Sequence, residues 1–203
     1  MSFCIESGQT LVCLGDSITQ AAPGYVSLMA ALIAARYPER AIQIVNAGIG
    51  GHKAPDMMER LHRDVIAHRP DWVTINVGIN DVWHGLNGPG GVPLEVYEPT
   101  VDKMTQTLQA ETAAQIVLVT PTVIGEDVDE PANQTLAAYV AAMEGIAARR
   151  GTLVAPAHAD FLRALKAGQA AAGPAFRMTT DGVHLNDIGN ARMALTILET
   201  LGF

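Results

Sequence analysis

Short, largely apolar runs rich in β-formers alternate along this chain with longer stretches in which apolar residues recur every three or four positions. The runs occupy residues 11–14 (LVCL), 42–46 (IQIVN), 72–77 (WVTINV), 116–120 (IVLVT) and 153–155 (LVA). A strand with one wet face would alternate polar and apolar residues, whereas most of these runs do not, as expected for parallel strands covered on both sides. The intervening stretches carry helical spacing: Tyr25, Leu28 and Leu32; Met58, Leu61 and Val65; a segment over about residues 95–110; an alanine-rich one over 131–149; and Ile188, Ala191, Leu195 and Leu198 at the end. Repeated β-α units predict an α/β fold with a central parallel sheet of about five strands and helices on both faces. Ligands of such sheets gather beyond the carboxyl ends of the strands.

With 203 residues, 49 % of them hydrophobic, the chain is long enough for one substantial core, and a single domain over residues 1–203 is expected. The net charge is −8, and the thirteen Lys and Arg residues are scattered apart from Arg149 and Arg150. That argues against a nucleic-acid or anionic-membrane partner. Cys4 and Cys13 are the only cysteines, so neither a disulfide framework nor a cysteine metal site is expected. The opening MSFCIESGQT has no basic region followed by a long apolar core, and no run reaches spanning length, which predicts no membrane insertion and a cytoplasmic protein. Oligomeric state is not written in the pattern.

Four stretches fall where a site would form. Gly15-Asp16-Ser17 follows the first run, and its residue types fit two uses: Asp and Ser cap helices, and a serine at a strand-to-helix turn presents its hydroxyl near a helix N-terminus. The sequence NAGIGG, ending at Gly51, follows the second run and fits a plain reversal, a phosphate cradle, or a backbone N–H left open to donate to an oxyanion. GIND, with Asn80 and Asp81, follows the third; it fits a turn, or an amide aimed at developing negative charge with Asp81 holding the loop. In TDGVHLN, before the last helical segment, Asp181 lies three residues ahead of His184 and can fix its tautomer, leaving the other ring nitrogen as a base. Asn186 is a candidate N-cap there.

Together these blocks resemble the SGNH hydrolases, also called GDSL esterases and lipases, whose name gives a Ser, Gly, Asn and His in four ordered blocks; Ser17, Gly51, Asn80 and His184 match them. The resemblance covers residues 11 to about 194. It implies a flavodoxin-like three-layer α/β/α sandwich and ester hydrolysis through a catalytic triad of Ser17, His184 and Asp181. The same resemblance implies an oxyanion hole from the backbone N–H of Ser17, the backbone N–H of Gly51 and the Asn80 amide. Two departures, Leu185 in place of a common proline and GDSI in place of GDSL, change no reacting group.

No H-E-x-x-H, P-loop or G-x-G-x-x-G motif is present, so no metal and no cofactor is expected. His62 and His68, six apart, share no helical face and read as surface residues. The partner implied is a small-molecule ester, an acetylated carbohydrate first among them, with short-chain or aryl esters beside it. Asp16, His52, Trp83, His84 and Val123 are candidate substrate contacts. The loops at 84–93 and 121–131 are expected to shape the pockets, the acidic EDVDE run disfavouring an anionic alcohol group. The alternatives are a lysophospholipase or thioesterase of the same family, a metal-dependent phosphoesterase, and a non-catalytic module holding a phosphorylated ligand.

Overall fold

The five apolar runs become β1 (Thr10–Gly15), β2 (Gln43–Gly48), β3 (Trp72–Asn76), β4 (Gln115–Val119) and β5 (Leu153–Ala155) in a computed structural model that describes residues 3–86 and 88–203. All neighbours pair in parallel, in the order β2-β1-β3-β4-β5. The inner strands are buried almost throughout, and β2, at the edge, is partly exposed along its length. Each aliphatic side chain buried in full, such as Leu11, Val73 or Leu118, contributes about 1.5–3 kcal/mol.

Nine α-helices connect and cover the strands among the described residues: α1 (Ser17–Gln20), α2 (Tyr25–Arg36), α3 (Ala54–Glu59), α4 (Leu61–Asp64), α5 (Ile79–Leu86), α6 (Leu94–Glu111), α7 (Pro131–Arg150), α8 (Ala157–Ala172) and α9 (Asp187–Thr200). Helices α2, α9 and α8 pack side by side, and so do α3, α6 and α7, giving the three-layer flavodoxin-like sandwich. From β1 the chain steps outward to β2 and then crosses back to β3 on the other side of β1. The carboxyl ends of β1 and β3 thus flank the point where strand order reverses, the place where doubly wound sheets hold ligands.

Several helical expectations are corrected. In α2 the buried residues are Tyr25, Val26, Met29 and Ile33, while Leu28 and Leu32 lie on the outer face. In α9 the core side is Met193, Ala194, Ile197 and Leu198, with Ile188, Ala191 and Leu195 exposed. The stretch through Met58, Leu61 and Val65 is not one helix. It breaks at Arg60, whose backbone sits at φ −101°, ψ 4° while its side chain turns in to the strand ends. Ile79, Asn80 and Asp81 of GIND belong to the first turn of α5 rather than to a non-helical turn, and α8 was not anticipated. His62 and His68 are exposed as expected, and Cys13 is buried in β1, where burial pushes its thiol up to about 12.

Candidate active site

β1 runs into α1 with no intervening loop. A Cβ on Gly15 would lie 1.9 Å from Thr19 Oγ1, so only glycine lets the strand end this close to the helix it feeds. The next two residues divide the local work. Asp16 Oδ1 accepts the Ile18 N–H at 2.9 Å and is the N-cap, while Ser17 occupies the first helical position with its hydroxyl free of the cap. Asp16 is 1 % exposed, and burial pushes its carboxyl up to about 6 against the Ile18 hydrogen bond.

The histidine arrives from the far end of the sequence. Thr179 and Leu185 form an isolated antiparallel bridge, and Thr180 N donates to the His184 carbonyl at 2.8 Å, closing a tight hairpin. Within it Asp181 Oδ1 accepts the amides of Val183 and His184 at 3.0 and 2.8 Å, and Oδ2 lies 2.6 Å from His184 Nδ1. With Nδ1 donating to the carboxylate, Nε2 is left as an acceptor, and it lies 3.0 Å from Ser17 Oγ. Burial works to raise the Asp181 carboxyl, but the His184 ring and the two amides outweigh it and hold it below the ordinary value.

The hairpin is braced from the loop after β4. Glu126, although part of the EDVDE run, points inward: its carboxylate accepts the amides of Met178 and Thr179 and the Thr179 hydroxyl. Gly125 N donates to the Gly182 carbonyl at 2.7 Å. The run is therefore a buttress at its first residue, while Asp127, Asp129 and Glu130 remain exposed.

Gly51 lies on the loop after β2 with φ +77°, and its neighbour Gly50 donates N–H to Gln20 Oε1 of α1 at 2.9 Å. A Cβ on Gly50 would sit 3.8 Å from Ser17 Cβ, so the loop packs against the serine. Asn80, on α5, donates from Nδ2 to the His52 carbonyl at 3.1 Å on the same loop. The amides of Ser17 and Gly51 meet no acceptor among the described residues. A serine with its proton acceptor at 3.0 Å, backed by a carboxylate, and open amides beside it is an arrangement suited to acyl transfer.

The GDSL-like lipase/acylhydrolase family model matches residues 13–192. The chain belongs to that family. An acetylxylan esterase from Geobacillus stearothermophilus is 34 % identical, the match covering 98 % of this chain and 96 % of the relative. The crystal structure of that organism's acetylxylan esterase Axe2 superposes with a TM-score of 0.89 at 33 % identity, over 98 % of this chain and 97 % of the other. Other structures of Axe2 carry alanine in place of a serine, an aspartate or a histidine and are described as catalytic mutants. LAE5, an alpha/beta hydrolase enzyme from the metagenome of Lake Arreo in Spain, gives a TM-score of 0.90 at 29 % identity over 99 % and 98 % of the two chains. This GDSL-family protein is a serine esterase, a hydrolase of carboxylic esters.

Around the esterase site the weaker sequence candidates separate. Trp83 lies edge to face with His184, ring centroids 6.5 Å apart, and with His84 at 5.4 Å. With Gly88, Pro89 and Gly90 these two residues border a cavity of about 390 Å³. His52 turns away from Asn80 to accept Arg60 Nε–H on Nδ1 at 3.1 Å; burial and the Arg60 charge lower its pKa. Val123 is fully buried in the core and Asp16 serves the helix cap, so neither side chain is offered to a ligand at the surface. Sequence reasoning missed Arg60, which is 4 % exposed and donates to the carbonyls of Gly15 and Ala47 at 2.8 and 2.7 Å, tying the carboxyl ends of β1 and β2 together. Its signal was a basic residue amid the apolar positions of a helical stretch.

Proposed function

We propose that the esterase removes acetyl groups from carbohydrate esters, with Ser17 as nucleophile, His184 as general base and acid, and Asp181 as the group that orients and stabilises the imidazolium. The observation that carries this reading is the unbroken chain of contacts from Asp181 Oδ2 to His184 Nδ1 at 2.6 Å and from His184 Nε2 to Ser17 Oγ at 3.0 Å. His184 takes the serine proton as Oγ attacks the ester carbonyl. The Ser17 and Gly51 amides and the Asn80 side chain receive the oxyanion. In the resting site one Nδ2 hydrogen of Asn80 donates to the His52 carbonyl, which holds the amide in place and leaves its second N–H for the oxyanion as charge develops. The proton then passes to the leaving sugar hydroxyl, and water repeats the sequence on the acetyl-serine. Acetylxylan esterase activity of the full-length relative and the indole beside His184, a surface suited to the C–H face of a sugar ring, support the carbohydrate assignment. Trp83 and His84 are the proposed contacts to the alcohol group, with His52 at the margin.

The test combines a serine-reactive fluorophosphonate, read by intact mass and peptide mapping, with acetate release from acetylated xylo-oligosaccharides. A single adduct on Ser17, abolished in Ser17→Ala and His184→Ala, together with acetate release is the expected result. Acetate release undiminished in Ser17→Ala would overturn the assignment of the nucleophile. Labelling of Ser17 without acetate release would overturn the substrate.

A further inference from the structure

Two side chains in the first turn of α5 reach the same neighbouring loop. Asn80 donates to the His52 carbonyl at 3.1 Å, and Asp81, the next residue, accepts the Ala54 N–H on Oδ1 at 3.0 Å. Residues 52 and 54 are thus both held from one helix, immediately after Gly51. The carbonyl of Asp81 also accepts the Val92 N–H at 3.0 Å, and a Cβ on Gly91 would come within 2.8 Å of that carbonyl, so residues 88–92 are drawn down onto α5 at this point. Those residues include the glycines bordering the cavity beside Trp83.

We infer that Asp81 is the positioning residue of this esterase: its carboxyl fixes the loop that presents the Gly51 amide, and its backbone fixes the strap that borders the alcohol side. The inference rests on Gly51 and Asn80 being oxyanion donors. Asp81 is 1 % exposed, and its Oδ2 has no partner among the described residues. A buried carboxyl with an unpaired oxygen costs stability relative to an apolar side chain of similar shape. What the site gains is an acceptor at a fixed point. Gly51 at φ +77° has nothing within 4 Å of where a Cβ would be, so its orientation depends on anchors outside the glycine itself. Burial pushes the Asp81 carboxyl up to about 7, and Oδ1 remains an acceptor whether or not the group is protonated. The neutral isostere asparagine therefore keeps the function and leucine removes it.

Asp81→Leu, Asp81→Asn, Ser17→Ala and the parent enzyme are compared in steady-state hydrolysis of p-nitrophenyl acetate, with thermal unfolding in parallel. Asp81→Leu is expected to lose roughly 10- to 100-fold in kcat with KM within about twofold, a share of the penalty for losing one oxyanion donor outright. Asp81→Asn is expected to recover kcat to within about threefold. If Asp81→Leu does not fold, Ala54→Pro removes the donor from the other side, at a first helical position where proline is tolerated and after a Lys53 that is already extended at φ −115°, ψ 176°. Parent-like kcat in Asp81→Leu or in Ala54→Pro overturns the inference, as does an Asp81→Asn enzyme as slow as Asp81→Leu. Parent-like turnover in Ser17→Ala would instead show that the reading of the site has failed.

Discussion

At the scale of single residues, Gly15-Asp16-Ser17 shows why a short motif is ambiguous until its neighbours are in place. Both polar residues are good caps, and in the structure one caps while the other faces a base: Asp16 takes Ile18 N–H, and Ser17 Oγ meets His184 Nε2. The Asp181-His184 pair was readable because both residues lie in one turn. Its reach to Ser17, across 167 positions, was readable only through the order of the four blocks. Asn80 yields the sharpest kinetic prediction: Asn80→Ala should lower kcat by about 100- to 1000-fold while Ser17 still labels with fluorophosphonate. Stability should report the two buried carboxyls. Burial raises Asp16 to about 6 and Asp81 to about 7, from an ordinary 3.8, so each folded-state value lies above the unfolded one. Their contribution is then fully present below about pH 4 and is lost as pH rises through 6 and 7, by up to about 3–4 kcal/mol for each group. Urea unfolding at pH 5 and pH 8 should show the parent losing stability relative to Asp81→Asn on going to pH 8; parallel curves would contradict this.

Elements were legible in kind more than in orientation. All five strands stand within a residue or two of the apolar runs, because continuous apolar stretches of this length fit little else between helices. Helix faces were not, and α2 explains why. Its sequence YVSLMAALIAAR is apolar on every side, so Leu28 and Leu32 repeat at helical spacing as well as Met29 and Ile33 do, and only packing against α9 chooses between them. α5 was hidden by turn-favouring Asn80, Asp81 and Gly85. α8 was hidden by its alanines, although Ala157, Phe161 and Leu165 recur every fourth residue on its buried side. The loop after β4 gives this scale its prediction. Glu126 satisfies the Met178 and Thr179 amides inside the protein, and buried donors left without an acceptor cost about 1–3 kcal/mol each. Glu126→Ala should lower the melting temperature and slow turnover together, since the loosened hairpin carries both Asp181 and His184. Calorimetry and kcat measured on the same preparation check this, and full activity in a destabilised variant would confine Glu126 to a structural role.

Across the whole molecule, parallel pairing and crossover connections were written in the β-α alternation, but the order β2-β1-β3-β4-β5 was not, because apolar pattern does not say which neighbour a buried strand will take. That order is what brings the ends of β1 and β3 together and lets residues from opposite ends of the chain form one site at the carboxyl edge. The amino edge of the sheet is closed differently. Phe3 stacks on Tyr37 with centroids 5.0 Å apart, Phe203 meets both rings edge-on at 5.6 and 5.8 Å, and Arg36 and Arg40 lie over the cluster. Arg40 also donates to the carbonyls of Phe3 and Ile5, and Cys4 N donates to the Leu201 carbonyl at 2.9 Å, so the first and last described segments are joined. Tyr37 and Arg40 precede β2, which places the cluster at the opposite end of the strands from Ser17. Aromatic pairs are worth about 0.5–1.5 kcal/mol each beyond their buried area, so Phe203→Ala should cost about 2 kcal/mol. For a chain of this length that is roughly 4–8 °C in Tm. Because the hydrogen bonds described above for the site lie at the other end of the strands, kcat, KM and the rate of Ser17 labelling at a temperature well below the new Tm should match the parent. A loss of turnover at that temperature would mean that the two edges of the sheet are energetically coupled.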